Sequence, residues 1–207
     1  MPGFDDEDYV SFDEADTAGT AGAAATSDDD DDPDESDPGD DLEDAAEDEI
    51  DYVLAAYRED GQLRVQALDN DLANDLDAFI EQLRRLPGDA GALGFVSLVE
   101  EVFVIVRVRG QHVQAILNDS AAAGDWPIAH DVVDFLGEDV DLDDADDEEG
   151  DPVGDLDMLA DLGLSEFELG TIIDNLDLSS DQMLGQIADK ININPDFSQA
   201  TEAAFRD

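Results

Sequence analysis

The stretch Val102–Arg109, VFVIVRVR, constrains this chain more than any other. It is the most concentrated apolar run in the sequence, and it is β-branched at Val102, Val104, Ile105, Val106 and Val108. Such side chains crowd a helix and fit a pleated sheet, so the run reads as a strand near the middle of a sheet. Alternation puts Val102, Val104, Val106 and Val108 on one face and Phe103, Ile105, Arg107 and Arg109 on the other. The first face needs an apolar cover. The second turns from apolar to basic along its length.

The neighbouring segments supply a sheet and its covers. IDYVLAAYRED, from Ile50, reads as a strand, Glu59-Asp60-Gly61 as a turn, and QLRVQAL as a second strand with Leu63, Val65 and Ala67 on one face. Ala92–Val99 is a third strand. Glu100-Glu101 turns it into the Val102 strand, and Gly110-Gln111 turns that into His112–Leu117. Connections this short make the strands antiparallel neighbours. Between the second and third strands, Leu72, Leu76, Phe79, Ile80 and Leu83 recur at helical spacing behind an Asp69-Asn70 cap. Arg84 and Arg85 suit the last turn, and Pro87-Gly88 ends it. This helix is the expected lid over the valine face. A second helix is expected over Pro127–Leu136, with Ile128, Val132, Phe135 and Leu136 as its stripe and Gly137 at its end.

Three short helices are expected near the C-terminus. The first carries Leu156, Leu159 and Leu162. The second opens on a Ser165–Glu168 capping box and carries Phe167, Leu169, Ile172, Ile173 and Leu176. The third runs from Asp181 to Ile191 with Met183, Leu184 and Ile187. The expected fold is therefore α+β: a five-stranded antiparallel sheet in β-β-α-β-β-β-α order with a C-terminal three-helix extension. The expected divisions are a disordered acidic tail at 1–49, a sheet domain at 50–137, an acidic linker at 138–152, a helical unit at 153–192 and a flexible tail at 193–207. The helical unit is too small for a sturdy core of its own, which favours docking on the sheet or on a partner.

Charge narrows the function. The 207 residues hold 59 Asp and Glu against 8 Lys and Arg, a formal charge of -51. Residues 1–49 contribute 22 of the acids, and six of the eight basic residues fall between Arg58 and Arg109. A surface of this sign repels phosphate, so direct binding to nucleic acid or anionic membranes is not expected, and a basic protein is the natural partner. There is no cysteine, so disulfides, thiolate metal sites and cysteine nucleophiles are excluded. The acidic N-terminus does not read as a signal peptide, and no apolar run is long enough to span a bilayer; a cytoplasmic location is the expectation.

No catalytic or metal motif survives inspection. Asp139-x-Asp141-x-Asp143 opens like a calcium loop, but Asp144 stands where that loop needs glycine and Gly150 where it needs glutamate. Asn192-x-Asn194-x-Asp196 fails similarly. His112 and His130 share no motif. No cofactor is implied. Three residues are candidates for an interaction. Arg107 and Arg109 alternate on one face of the central strand, where they either pair internally with carboxylates or anchor an acidic segment. Trp126, the sole tryptophan, either packs or serves an interface. Phe4, Tyr9, Val10 and Phe12 form a small aromatic-acidic cluster that could dock a partner.

Several stretches together resemble an actinobacterial family of tRNA adenosine deaminase-associated proteins: YVLAAYREDG from Tyr52, DLDAFIEQLRRLPG from Asp75, ALGFVS from Ala92, FVIVRVRG from Phe103, DWPIAHDVVDFLG from Asp125 and PVGDLDMLADLGLSEFELGTIIDNLDL from Pro152. The likeness covers roughly residues 50–192. It implies association with the enzyme that converts tRNA wobble adenosine to inosine, and it carries no catalytic residues over. A zinc deaminase needs H-x-E and P-C-x-x-C motifs, which this chain lacks, so it is not the deaminase. The expectation is a non-catalytic accessory or adaptor protein, not an enzyme. The alternatives are an acidic nucleic-acid mimic that occupies a basic RNA-binding surface, and an enzyme with an unrecognised carboxylate site.

Overall fold

The computed structural model describes residues 42–87, 91–138 and 150–205. Six antiparallel strands form one sheet in the order β2-β1-β3-β4-β5-β6: β1 Ile50–Glu59, β2 Gln62–Ala67, β3 Ala92–Leu98, β4 Val102–Arg109, β5 His112–Leu117 and β6 Val153–Gly154. The sixth strand corrects the expected five. It pairs only Val153 with Leu117 and Gly154 with Ile116, too short a segment to show a strand period in sequence. Gly154 sits at φ 112 with the Ala115 carbonyl where a side chain would begin, so glycine alone fits there.

Both parities of β4 are buried, as its composition requires. Val102, Val104, Val106 and Val108 face α1 (Leu76–Arg85) and α2 (Pro127–Leu136), packing with Leu76, Phe79, Ile80, Leu83, Ile128 and Val132. Each such side chain contributes roughly 1.5–3 kcal/mol on burial, before entropy is subtracted. The lid helix starts later than its apolar spacing implies. A 3-10 turn occupies Asn70–Asn74, and extended Asp75 then caps α1 by accepting from Ala78 N at 2.8 Å. Asp131 of α2 accepts from Leu76 N at 3.0 Å and ties the two helices together; burial pushes its carboxyl above the usual range. Phe135, expected in the α2 stripe, is 46% exposed, and Ala129 and Val133 are buried instead.

Phe103 and Ile105 face the other way, with Tyr52, Leu54, Phe95 and Ile116. The C-terminal helices cover them: α3 Glu166–Ile173, α4 Ser180–Lys190 and α5 Asp196–Ala204. Leu159, Leu164, Leu184 and Ile187 complete this second cluster, so the fold has three layers, helix on sheet on helix. The first expected C-terminal helix is only a 3-10 turn at Ala160–Leu162. The flexible tail expected from residue 193 is corrected by α5, whose Phe197 is 1% exposed and meets Phe95 and Tyr52 edge-on, with ring centroids 5.2 and 6.1 Å apart. The capping box at Ser165 forms, but α3 ends at Ile173, leaving Leu176 beyond it and 69% exposed. The chain is held before residue 50 as well: Ala45 is buried and exchanges two hydrogen bonds with the Asn74 side chain. The Phe4–Phe12 cluster and the 139–149 part of the candidate calcium loop lie outside the described residues.

Gly94 of β3 sets how closely α1 can approach. A Cβ there would lie 2.3 Å from Phe79 and 2.7 Å from Leu83. Gly94→Ala should therefore lower stability by about 1–3 kcal/mol, read as a lower urea midpoint at unchanged slope. An unchanged midpoint would mean that the helix does not rest on this strand.

Candidate functional site

At one end of the sheet the β3–β4 turn projects between three other segments. Val99 and Glu100 both take positive φ, 47° and 59°. That is costly for a β-branched residue, and the turn is held from several sides. Val99 N donates to the Glu49 carbonyl at 2.9 Å, Glu100 N donates to Asp51 Oδ2 at 2.8 Å, and the Glu100 carbonyl accepts from Ser180 N at 2.8 Å. Below it, the buried Ser97 hydroxyl donates to Asp51 at 2.8 Å and lies 2.7 Å from the Ser180 hydroxyl. The Tyr52 hydroxyl is buried against Ser97 without a hydrogen bond of normal geometry, and burial raises its pKa, which keeps it neutral.

The facing wall is built by two short polar side chains. Asn118 is buried; it accepts from Phe103 N at 2.6 Å and donates to the Glu101 carbonyl at 3.0 Å. Asp119 accepts from Ala121 N and Gly150 N at 2.9 and 2.7 Å. It thereby draws the returning chain at 150–152 against the 3-10 turn Ser120–Gly124, which leads to Trp126 and α2. A Cβ on Gly150 would collide with Ser120 and Ala121, so this junction also needs glycine.

Between these walls lies an open cleft of about 1460 Å³. Among the described residues that line it, ten are acidic and none is basic. Most of these carboxylates are exposed, and among the described residues none of the ten forms an ion pair. Val99, Trp126 and Leu176 add apolar surface. Among the described residues no group of three or more ligating side chains converges on a metal position.

The described cations gather at the opposite end. Arg58 and Arg64 flank the β1–β2 turn, and Arg107 and Arg109 close β4. Arg84 and Arg85 end the helix that leads into the start of β3. Lys190 ends α4, beside Ile191, which shares a 70 Å³ hollow with Arg58 and Arg107. Several are occupied. Arg107 is 6% exposed; its guanidinium donates to the Met158 carbonyl and to both oxygens of Asp161, at 2.5 and 2.8 Å. Arg109 stands 3.7 Å from the same carboxylate. Lys190 meets Glu168 at 2.8 Å and, with Ser165, holds that carboxyl down to about 2. His130 is buried on α2, its Nδ1 4.0 Å from Asp134, and His112 is exposed at the start of β5.

Of the residues singled out in sequence, Trp126 lines the cleft, whereas Arg107 and Arg109 lie at the far end, with Arg107 spent on holding the Met158–Asp161 segment to the sheet. The cleft carboxylates were invisible individually, because each is one of 59.

Fold and cleft together define an acidic α+β protein with a large concavity that offers charge and apolar surface. The chain belongs to the Rv3753c-like tRNA adenosine deaminase-associated protein family, whose model matches residues 51–194. It is 36% identical over 135 residues to Protein Rv3753c of Mycobacterium tuberculosis, covering 65% of this chain and 78% of that protein. No solved structure matches it. Among the described residues no helix is long and apolar enough to cross a membrane.

Arg107→Ala strips the Met158 carbonyl of its buried donor and should cost about 1–3 kcal/mol in urea unfolding at neutral pH. Arg107 holds the Asp161 carboxyl below its ordinary 3.8. A depressed folded pKa stabilises above the unfolded value, so this contribution is present above 3.8 and fades as pH falls below it. Asp161→Asn should flatten that acid limb; an unaltered limb would remove the pair as its source.

Proposed function

We propose that this chain is a non-catalytic accessory protein that binds a tRNA adenosine deaminase through its acidic end. The observation that carries the reading is the cleft's set of ten carboxylates without cationic partners among the described residues, in a family described as associated with that enzyme. An enzyme that holds tRNA must present Lys and Arg to its phosphates. A surface of opposite sign meets such an enzyme readily and is steered to it. The same charge keeps this chain away from the tRNA itself. The absence of cysteine from the sequence denies it the His/Cys/Cys zinc site of the nucleobase deaminases that carry the P-C-x-x-C motif.

A second reading rests on a different observation, the 22 acids of residues 1–49. Here the acidic segments mimic nucleic acid and occupy the enzyme's basic surface.

Co-purification of the full chain with the tRNA adenosine deaminase of the same organism tests the first reading. A complex should form at micromolar concentration and weaken steeply with salt. No complex at low salt would refute it. Deleting residues 1–41 and replacing 139–149 with a glycine-serine linker of equal length leaves the cleft residues Glu43, Asp44, Gly150 and Asp151 in place and separates the two readings: binding by the folded end survives the change, and binding by mimicry is lost with it.

A further inference from the structure

We propose that the cleft takes a basic segment of the partner protein, in which Lys or Arg residues flank a large apolar side chain. Val99, Trp126 and Leu176 receive the apolar group, and carboxylates such as Glu101, Asp174 and Asp177 hold the cations. This deepens, and rests on, the reading of the chain as a binding protein.

Three observations select this occupant. First, the groove is not merely charged. Leu176 is 69% exposed and Val99 36%, and Trp126 is partly exposed; all three line the same concavity. Exposed apolar side chains that share a groove with a polar rim are what a protein interface presents. Val99 is moreover held out at φ 47°, a conformation that the surrounding hydrogen bonds impose on a residue that resists it. Second, at about 1460 Å³ the cleft exceeds the usual small-molecule pocket of ~300–1,000 Å³. Third, charge runs one way through the molecule. Among the described residues none that lines the cleft is basic, and every Lys and Arg lies toward the other end of the strands. A basic segment is thus drawn to this end and not to the other.

The same observations set other occupants aside. Residues 139–149 of this chain carry eight carboxylates in eleven positions and residues 1–41 carry seventeen, so the chain's own acidic segments are repelled. A metal ion lacks a converging set of ligands among the described residues.

Trp126 is the only tryptophan, so its fluorescence reports directly from the cleft. The full-length chain is titrated with the peptide Lys-Arg-Leu-Leu-Arg-Lys, the same peptide with glycine for leucine, spermine, and magnesium chloride. The leucine peptide should shift Trp126 emission saturably, and the glycine peptide should bind at least about tenfold more weakly. Glu101→Gln/Asp174→Asn/Asp177→Asn should weaken the leucine peptide by about tenfold. Asp71→Asn/Asp77→Asn/Glu81→Gln, the same charge change on exposed positions of α1 and its approach, should alter it by less than about twofold. Equal losses in the two triple variants would reduce the effect to net charge and overturn the proposal. So would equal binding of the two peptides, or the same saturable shift with spermine or magnesium. Co-purification of the cleft triple variant with the deaminase separates the two claims. Undiminished capture would overturn the cleft proposal and leave the accessory reading standing. Peptide binding without any capture of the deaminase by the unaltered chain would do the reverse.

Discussion

Burial of β4 on both faces is the constraint on which the rest of the structure depends. A strand with valines on one side and Phe103 and Ile105 on the other cannot leave either side wet. One cover comes from the helices between and after the strands, and the other from the C-terminal segment. That segment is therefore part of the core rather than an appendage. Its last helix places Phe197 between Phe95 and Tyr52. The double cover also decides the fate of Arg107. A guanidinium under a second helical layer must be paired or be expelled, and the Met158 carbonyl and Asp161 supply the pairing.

The same antiparallel order sorts the charges. Strands β1 and β4 run in the same direction, because each is antiparallel to β3. Their ends, with Arg58, Arg107 and Arg109, must share one edge of the molecule. The turn that joins β3 to β4 then belongs to the opposite edge, where no cation among the described residues offsets Glu100 and Glu101. Around it the lead-in to β1, the turn after β5 and the loop between α3 and α4 bring further carboxylates and Leu176. Polarity of charge thus follows from strand direction and from where six arginines fall in the sequence.

Much of this was readable from residue patterns. The Asp60-Gly61 hairpin, with both residues at positive φ, the α1 lid, Pro127 and Gly137 bounding α2, and the Ser165 box all follow from local chemistry that tertiary packing reinforces. What could not be read lacks a local signature. β6 is two residues held by a neighbour. α5 follows Pro195 and is held by distant residues: Phe197 meets Phe95 and Tyr52, Phe205 at its C-cap meets Tyr52, and Ala200 and Ala204 pack on the same cluster. The early break at Asp75 reflects capping by its own side chain and by Asp131, 55 residues from the Leu76 amide it caps. For the site, Trp126 stood out because it is unique, whereas the carboxylates beside it were lost among their many equivalents. Arg107 was ambiguous because alternation fixes its face but not what covers that face.

The central claim is that the acidic end, and not the tails or the arginine end, is the contact surface. Hydrogen–deuterium exchange of the full-length chain, alone and with the tRNA adenosine deaminase, tests it most directly. The account predicts that the enzyme slows exchange in three peptides, around Val99–Val102, Asp119–Trp126 and Asp174–Ser179, and leaves Arg58–Arg64 and Val106–Gln111 as they were. Protection confined to the Arg58–Arg64 and Val106–Gln111 end, or to the acidic segments alone, would contradict it.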